Sequence, residues 1–166
     1  MSSKTKRVGD IGENYIISNL LEFRNIIVSR PITDNESYDC VIDIGNVLYK
    51  AQIKTCEFIT DDRYMRFSID ITNPFSKTRR KYKKDEVDIF LLYCIENKYC
   101  GLMLFSEYIS SDTKIWLKPP LNRMNTGNKW HEDYELHSRI SSYNDLGYFI
   151  ENGRKSKRLE EIYKQK

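Results

Sequence analysis

Asp39, Gln52 and Lys54 are the residues whose types and spacing could do chemistry together. They lie in "SYDCVIDIGNVLYKAQIKTC", residues 37–56, where two β-branched and aromatic runs flank Gly45-Asn46. Such a pair of residues between two strand-like runs reads as a two-residue hairpin loop, with glycine supplying positive φ. If Ile44 pairs with Val47, then Ile42 faces Tyr49, Cys40 faces Ala51 and Asp39 faces Gln52. Alternation then puts Asp39, Val41, Asp43, Leu48, Lys50, Gln52 and Lys54 on one face, and an uncharged set from Cys40 to Ile53 on the other. A slip by one residue would drive the charges into the core, so the register is well specified. Directly opposed residues have Cβ atoms roughly 4.5–5.5 Å apart. Asp39 and Gln52 could therefore share one metal ion, with Lys54 beside them. The alternative, a solvated polar face on a half-buried hairpin, stays open on this stretch alone.

The elements around the hairpin must position these groups. Residues 5–23, "TKRVGDIGENYIISNLLEF", carry apolar residues at helical spacing and predict a helix. Gly9 and Gly12 in its first half each cost roughly 1 kcal/mol relative to alanine, which points to a close backbone approach by a strand or a ligand. Glu13 follows. It is either a site residue, half of a capping box with Asp10, or a solvated helix position. "NIIVSRP" predicts a short strand ended by Pro31. The second hairpin strand is expected to run on to Phe58, followed by a turn at "DDRY" and a strand over "YMRFSIDI". "VDIFLLYCI" is apolar throughout and reads as a strand buried on both faces, paired with "KYCGLMLF" across Glu96-Asn97. "SEYI" suggests a short helix and "KIWLKPP" an edge strand stopped by two prolines. Residues 130–138 read as a helix, and 144–166 as a weak helix or a mobile tail. The whole is an α/β arrangement, a helix followed by a sheet, in a single domain over 1–152 with a basic C-terminal tail at 153–166.

The chain has 166 residues and a net charge of +3, enough for one domain with a real core. Its positive charge is uneven. "SKTRRKYKK", residues 76–84, holds Lys77, Arg79, Arg80, Lys81, Lys83 and Lys84 around Tyr82 and contains no acid. Such a block suggests a polyanion partner; a solvated loop is the alternative. Cys40, Cys56, Cys94 and Cys100 show no C-x-x-C spacing and are expected to be free thiols, buried at Cys40 and Cys94. "HEDYELH" lacks the i, i+4 spacing of a zinc helix, so His131 and His137 are read as surface residues. No signal-peptide pattern and no apolar run near about 18 residues is found, so a soluble, cytoplasmic location without membrane attachment is expected.

"GDIGENY", "YDCVIDIGNVLYKAQIK" and "DEVDIFLLYCIENKYCGLMLF" together resemble the first helix, core hairpin and later strand pair of the PD-(D/E)XK nucleases, the restriction-endonuclease-like fold. The resemblance covers about residues 5–118. Asp39 matches the motif Asp and Gln52-Ile53-Lys54 the (D/E)-X-K element, with Glu13 in the place of the helix acid. Tyr38 stands where the motif name has Pro, and Gln52 where Asp or Glu is usual. A Q-x-K element behind a G-x-x-G-E helix is most similar to the homing endonucleases encoded in group I introns. The resemblance implies a mixed central β-sheet flanked by helices. It implies a Mg²⁺-dependent endonuclease acting on duplex DNA, with Mn²⁺ able to substitute. Metal ligands would be Glu13, Asp39, the Gln52 side-chain carbonyl and the Ile53 backbone carbonyl. Lys54 would act on the attacking water, and residues Lys77 to Lys84 would bind DNA phosphates. A homodimer or homotetramer is expected for long-site recognition. A Holliday junction resolvase or restriction-type nuclease is one alternative; a non-catalytic DNA-binding module that has lost its site carboxylate is another.

Overall fold

The computed structural model describes residues 3–33, 36–73, 76–120 and 128–149. The first helix, α1, spans Ser3–Leu20, starting and ending a little earlier than its periodicity suggests. Asp10 lies inside it, and its backbone carbonyl accepts from the Asn14 side chain. Asp10 therefore does not cap the helix with Glu13, which removes the capping-box alternative. Ile16 and Leu20 are fully buried on its inner face.

Five strands form the central sheet: β1 (Ile26–Ser29), β2 (Cys40–Ile44), β3 (Val47–Cys56), β8 (Ile89–Cys94) and β9 (Tyr99–Leu104), in the order β1-β2-β3-β8-β9. The β3–β8 pairing is parallel and the other three are antiparallel, so the sheet is mixed. The β2–β3 hairpin has the expected register, Ile44 on Val47, Ile42 on Tyr49 and Cys40 on Ala51. Gly45 and Asn46 both have positive φ, 60° and 65°, the conformation of a type I′ turn whose twist suits the flanking strands. Every residue of β8 is buried, as its unbroken apolar run predicts.

The two faces of the sheet are covered differently. α1 and α3 (Leu136–Leu146) pack Ile16, Leu20, Leu136, Ile140 and Tyr143 onto Ile42, Ala51, Ile53, Leu91 and Tyr93. On the other face, Phe90, Leu92, Cys94 and Met103 meet Met65, Phe67 and Ile115. These last belong to a second sheet, ordered β11-β10-β5-β4, of β4 (Ile59–Thr60), β5 (Tyr64–Ser68), β10 (Asp112–Trp116) and β11 (Lys129–Trp130). Two short strands, β6 (Ile71–Thr72) and β7 (Arg79–Arg80), pair beside it and fold the basic segment back on the chain.

Several sequence expectations change. The second hairpin strand stops at Cys56, and β4 is separate. Residues 112–116 are not at an edge: β10 pairs with β5 on one side and β11 on the other. The helix expected over 130–138 is two, α2 (His131–Tyr134) and α3, broken at Glu135, whose carboxylate accepts from the His137 and Ser138 amides and caps α3. α3 ends at Leu146, with Gly147 at φ 75° closing it; the rest of the expected 144–166 element, including the tail at 153–166, lies outside the described residues beyond 149. All four cysteines are buried free thiols. Arg139 and Glu107 form a buried ion pair, 2.8 Å, that ties α3 to the end of β9. Among the described residues no helix is long and apolar enough to cross a membrane.

Candidate active site

The site forms where β3 outruns its partner. β2 begins at Cys40, opposite Ala51, while β3 continues to Cys56. Beyond Ala51 the β2 side of β3 has no ladder strand, so its backbone groups need other partners. Asp39, one residue before β2, provides one. Its amide donates to the Ala51 carbonyl at 2.9 Å, and its Oδ2 accepts the Ile53 amide at 2.7 Å. The carboxylate thus stands in for the missing strand.

Gln52 faces Asp39 as the register predicts. Its Nε2 donates to Asp39 Oδ2 at 2.5 Å and to the Ile53 carbonyl at 3.2 Å. One amide nitrogen therefore bridges a carboxylate oxygen and a backbone carbonyl, two of the oxygens expected to be ligands. For the Gln52 carbonyl to act as a ligand as well, the amide must turn over about its last side-chain bond.

Lys54 lies on the same face of β3. It is not on a solvated surface, because the second sheet and the basic segment cover this part of the sheet. Its Nζ donates to the Asp70 carbonyl at 3.1 Å and sits 5.2 Å from the centre of the Tyr82 ring. Burial lowers the Lys54 pKa, and the charges of Asp39 and Asp70 oppose that shift. Burial likewise raises the Asp39 carboxyl above its usual range, against the Ile53 amide, the Lys54 charge, the Gln52 amide and the Arg30 charge. A carboxylate held in a poorly solvated place and incompletely compensated favours a cation.

Glu13 approaches from the opposite face. Gly12 packs against Thr55, whose side chain alternates with that of Lys54; a Cβ at Gly12 would lie 1.8 Å from Thr55 Oγ1. The close approach expected of the glycines is thus made to a strand, at Gly12. It brings the first half of α1 to the fork between β2 and β3. There Glu13 and Asp39 line one cavity of about 650 Å³, along with Gly9, Lys6, Arg30 and Tyr38. Gln52 and Lys54 do not line it. Arg30 Nη2 is 3.7 Å from Glu13 Oε2. The expected residues therefore fall into a tight cluster of Asp39, Gln52, Ile53 and Lys54, with Glu13 across the adjoining cavity. Among the described residues no group of three or more His, Cys, Asp or Glu forms a ready-made metal site. The donor set present, carboxylates with neutral amide and backbone oxygens, fits a hard cation that keeps several waters, as Mg²⁺ does.

The basic segment is less open than its sequence suggests. Arg80 makes two 2.8 Å bonds to Glu86, Arg79 lies 3.5 Å from Asp70, and Lys81 donates to the Ile109 carbonyl. Lys77, Lys83 and Lys84 are exposed. Tyr82 is 7 % exposed, with its ring edge-on to Phe90, so the ring face is not open for a base to stack on. His131 and His137 take protein partners, the Trp116 carbonyl for one and Glu22 and Glu135 for the other.

Arg30 and Asp70 were not marked by the sequence. Arg30 sits one residue past a short strand, and Asp70 falls in an alternating strand-like run; only the tertiary fold brings them to Glu13 and Lys54.

A family model, PD-(D/E)XK endonuclease, matches residues 3–137. A bacterial homing endonuclease, I-Ssp6803I, has a similar structure, with a TM-score of 0.60 at 23% identity over 89% of this chain and 99% of that one. No curated protein matches the chain in sequence. The family match takes in α1, the whole central sheet and every residue of the cluster at the fork, and the solved structure shares the fold: the chain belongs to the PD-(D/E)XK endonuclease family.

Proposed function

We propose that the chain is a Mg²⁺-dependent endonuclease that hydrolyses phosphodiester bonds in duplex DNA inside the cell, of the site-specific homing type. The observation that carries this reading is the fork itself, where Asp39, the Gln52 amide and the Ile53 backbone converge with the Lys54 ammonium on the same face. A merely structural hairpin has no need to bury a carboxylate and an ammonium there. Mg²⁺, or Mn²⁺ in its place, would be held by Asp39, Glu13, the Gln52 side-chain carbonyl and the Ile53 carbonyl. When bound, the cation supplies charge neutralisation at the phosphate and a more acidic water. Lys54 orients the attacking water, helps to remove its proton and offsets the charge that develops on the phosphoryl oxygens. Asp39 fixes the Ile53 backbone, so the groups are ordered before substrate arrives. Lys77, Lys83 and Lys84, with the paired Arg79, Arg80 and Lys81, give a cationic surface for backbone phosphates. One copy of a chain this size reads a short patch of DNA. Recognition of a long site therefore calls for a homodimer or homotetramer.

A second reading is favoured by one observation. The Gln52 amide nitrogen already satisfies Asp39 Oδ2 and the Ile53 carbonyl, as it would in a DNA-binding module whose site no longer takes a metal. Incubating plasmid with the protein in Mg²⁺, Mn²⁺, Ca²⁺ and EDTA separates the two. The nuclease reading expects cleavage in Mg²⁺ and Mn²⁺ and binding without cleavage in Ca²⁺. Folded protein that binds DNA and never cuts it supports the module. Linear duplex against a four-way junction then distinguishes a homing enzyme from a resolvase.

A further inference from the structure

We propose that Tyr82 and Asp70 are positioning residues that cage the Lys54 ammonium, Tyr82 through the face of its ring and Asp70 through its backbone carbonyl. The inference rests on the reading that Lys54 acts in the cleavage step.

Two contacts define the cage. Lys54 Nζ lies 5.2 Å from the Tyr82 ring centre, within the range of a cation–π contact. The same nitrogen donates to the Asp70 carbonyl at 3.1 Å. Asp70 is itself held: its side chain is 11% exposed and lies 3.5 Å from Arg79 Nη1. The walls are fixed by packing. Tyr82 stands edge-on to Phe90, and the Tyr108 hydroxyl donates to the Ile69 carbonyl next to Asp70.

A lysine side chain has four rotatable carbons and a large rotamer entropy. At an exposed position its ammonium would wander over several ångströms. Here a ring and a carbonyl confine it from two sides, and that confinement is worth rate only if the ammonium must be in one place when the phosphate arrives. The contact also explains why a tyrosine stands buried in the middle of a run of cations. Tyr82 and Arg79 come from the basic segment, so the segment proposed to meet the DNA backbone also sets the position of Lys54. A phosphate drawn to Arg79 would act on Asp70 and, through it, on the lysine.

The test replaces Tyr82 with phenylalanine and with mono-, di- and trifluorinated phenylalanines in the full-length chain. These rings are nearly the same size, but fluorine progressively withdraws the negative charge from the ring face. Single-turnover cleavage is read at saturating protein in Mg²⁺, alongside DNA affinity and melting temperature. The cage predicts that Tyr82→Phe cleaves within about twofold of wild type. It predicts a stepwise fall across the fluorinated series to about tenfold, with DNA affinity and melting temperature unchanged. A ring that only fills space would give a flat series. Lys54→Ala is run in parallel. If it is inactive while the series is flat, the cage is wrong and the assignment of Lys54 stands. If Lys54→Ala cleaves normally, the reading beneath the inference has failed.

Discussion

Asp39 Oδ2 accepts two donors at once, the Ile53 amide at 2.7 Å and the Gln52 amide at 2.5 Å. That arrangement makes position 52 the most informative residue for the metal. Gln52→Glu replaces a donor with a second carboxylate at hydrogen-bond distance, and two such anions cannot both ionise without help. We predict that Gln52→Glu in EDTA loses about 1–3 kcal/mol of stability, the cost of a broken hydrogen bond to a charged group. Mg²⁺ should restore it, giving a larger Mg²⁺-induced rise in melting temperature than wild type shows, with cleavage retained. Equal rises in both proteins would count against Gln52 as a ligand position. At this scale the sequence was legible where strand alternation governs: the facing of Asp39 and Gln52 and the position of Lys54 follow from the hairpin. The direction of the Gln52 amide, the carbonyl of Asp70 and the ring of Tyr82 do not, because they depend on groups brought in by other elements. Tyr82 is the sharpest case, since a tyrosine among six cations looks like a surface residue until Phe90 is placed beneath it.

Helix α1 is set against β3 by a missing side chain. A Cβ at Gly12 would meet Thr55 Oγ1 at 1.8 Å and Thr55 Cβ at 2.9 Å, whereas one at Gly9 would meet nothing within 4 Å. Gly12→Ala should therefore cost about 1–3 kcal/mol through overpacking. Gly9→Ala should stabilise by up to about 1 kcal/mol through helix propensity. Urea denaturation measures both, and adding Thr55→Ala to Gly12→Ala should recover part of its loss. A second element-scale prediction concerns the segment after β7. Hydrogen bonds from Arg80, with the Lys83 amide, hold the Glu86 carboxyl down at about 2. A depressed carboxyl contributes stability that is present above its ordinary value of 4.5 and is lost as pH falls toward 2. Arg80 is half exposed, so solvent screens the pair and the effect is small. Glu86→Gln should melt below wild type at pH 6, and the gap should narrow steadily toward pH 3; a gap independent of pH would show that the pair adds nothing. Elements with strong local patterns, α1, the hairpin and β8, were readable from the chain. The second sheet was not. Its strands β4 and β11 have two residues each, too short to show a period, and β10 joins β5 across more than forty positions of sequence. The break at Glu135 escaped for a related reason, because the local cap that Glu135 gives α3 is joined by a bridge to the distant Gly101.

Over the whole molecule a net charge of +3 is small, so affinity for DNA must come from where the cations sit. Exposed Lys83 and Lys84 follow a segment whose arginines already have acidic partners, Glu86 and Asp70. Each cation that neutralises a phosphate adds about 0.9 to the slope of log affinity against log salt on duplex DNA. Lys83→Ala with Lys84→Ala should lower that slope by about 2. Arg80→Ala should lower it by less, since leaving Glu86 offsets what Arg80 gains. An unchanged slope in the double lysine variant would place the DNA on another face.

The most direct test of the site at the fork is the single-turnover cleavage rate of duplex plasmid in Mg²⁺, measured for wild type, Asp39→Asn and Lys54→Ala with protein in excess and all DNA bound. Asp39→Asn keeps an oxygen for the Ile53 amide, and Lys54→Ala removes a side chain without altering the β3 backbone, so both should fold and bind DNA. The account predicts that wild type cuts and that each variant is slower by at least about a hundredfold. Cleavage at the wild-type rate by either variant would contradict it.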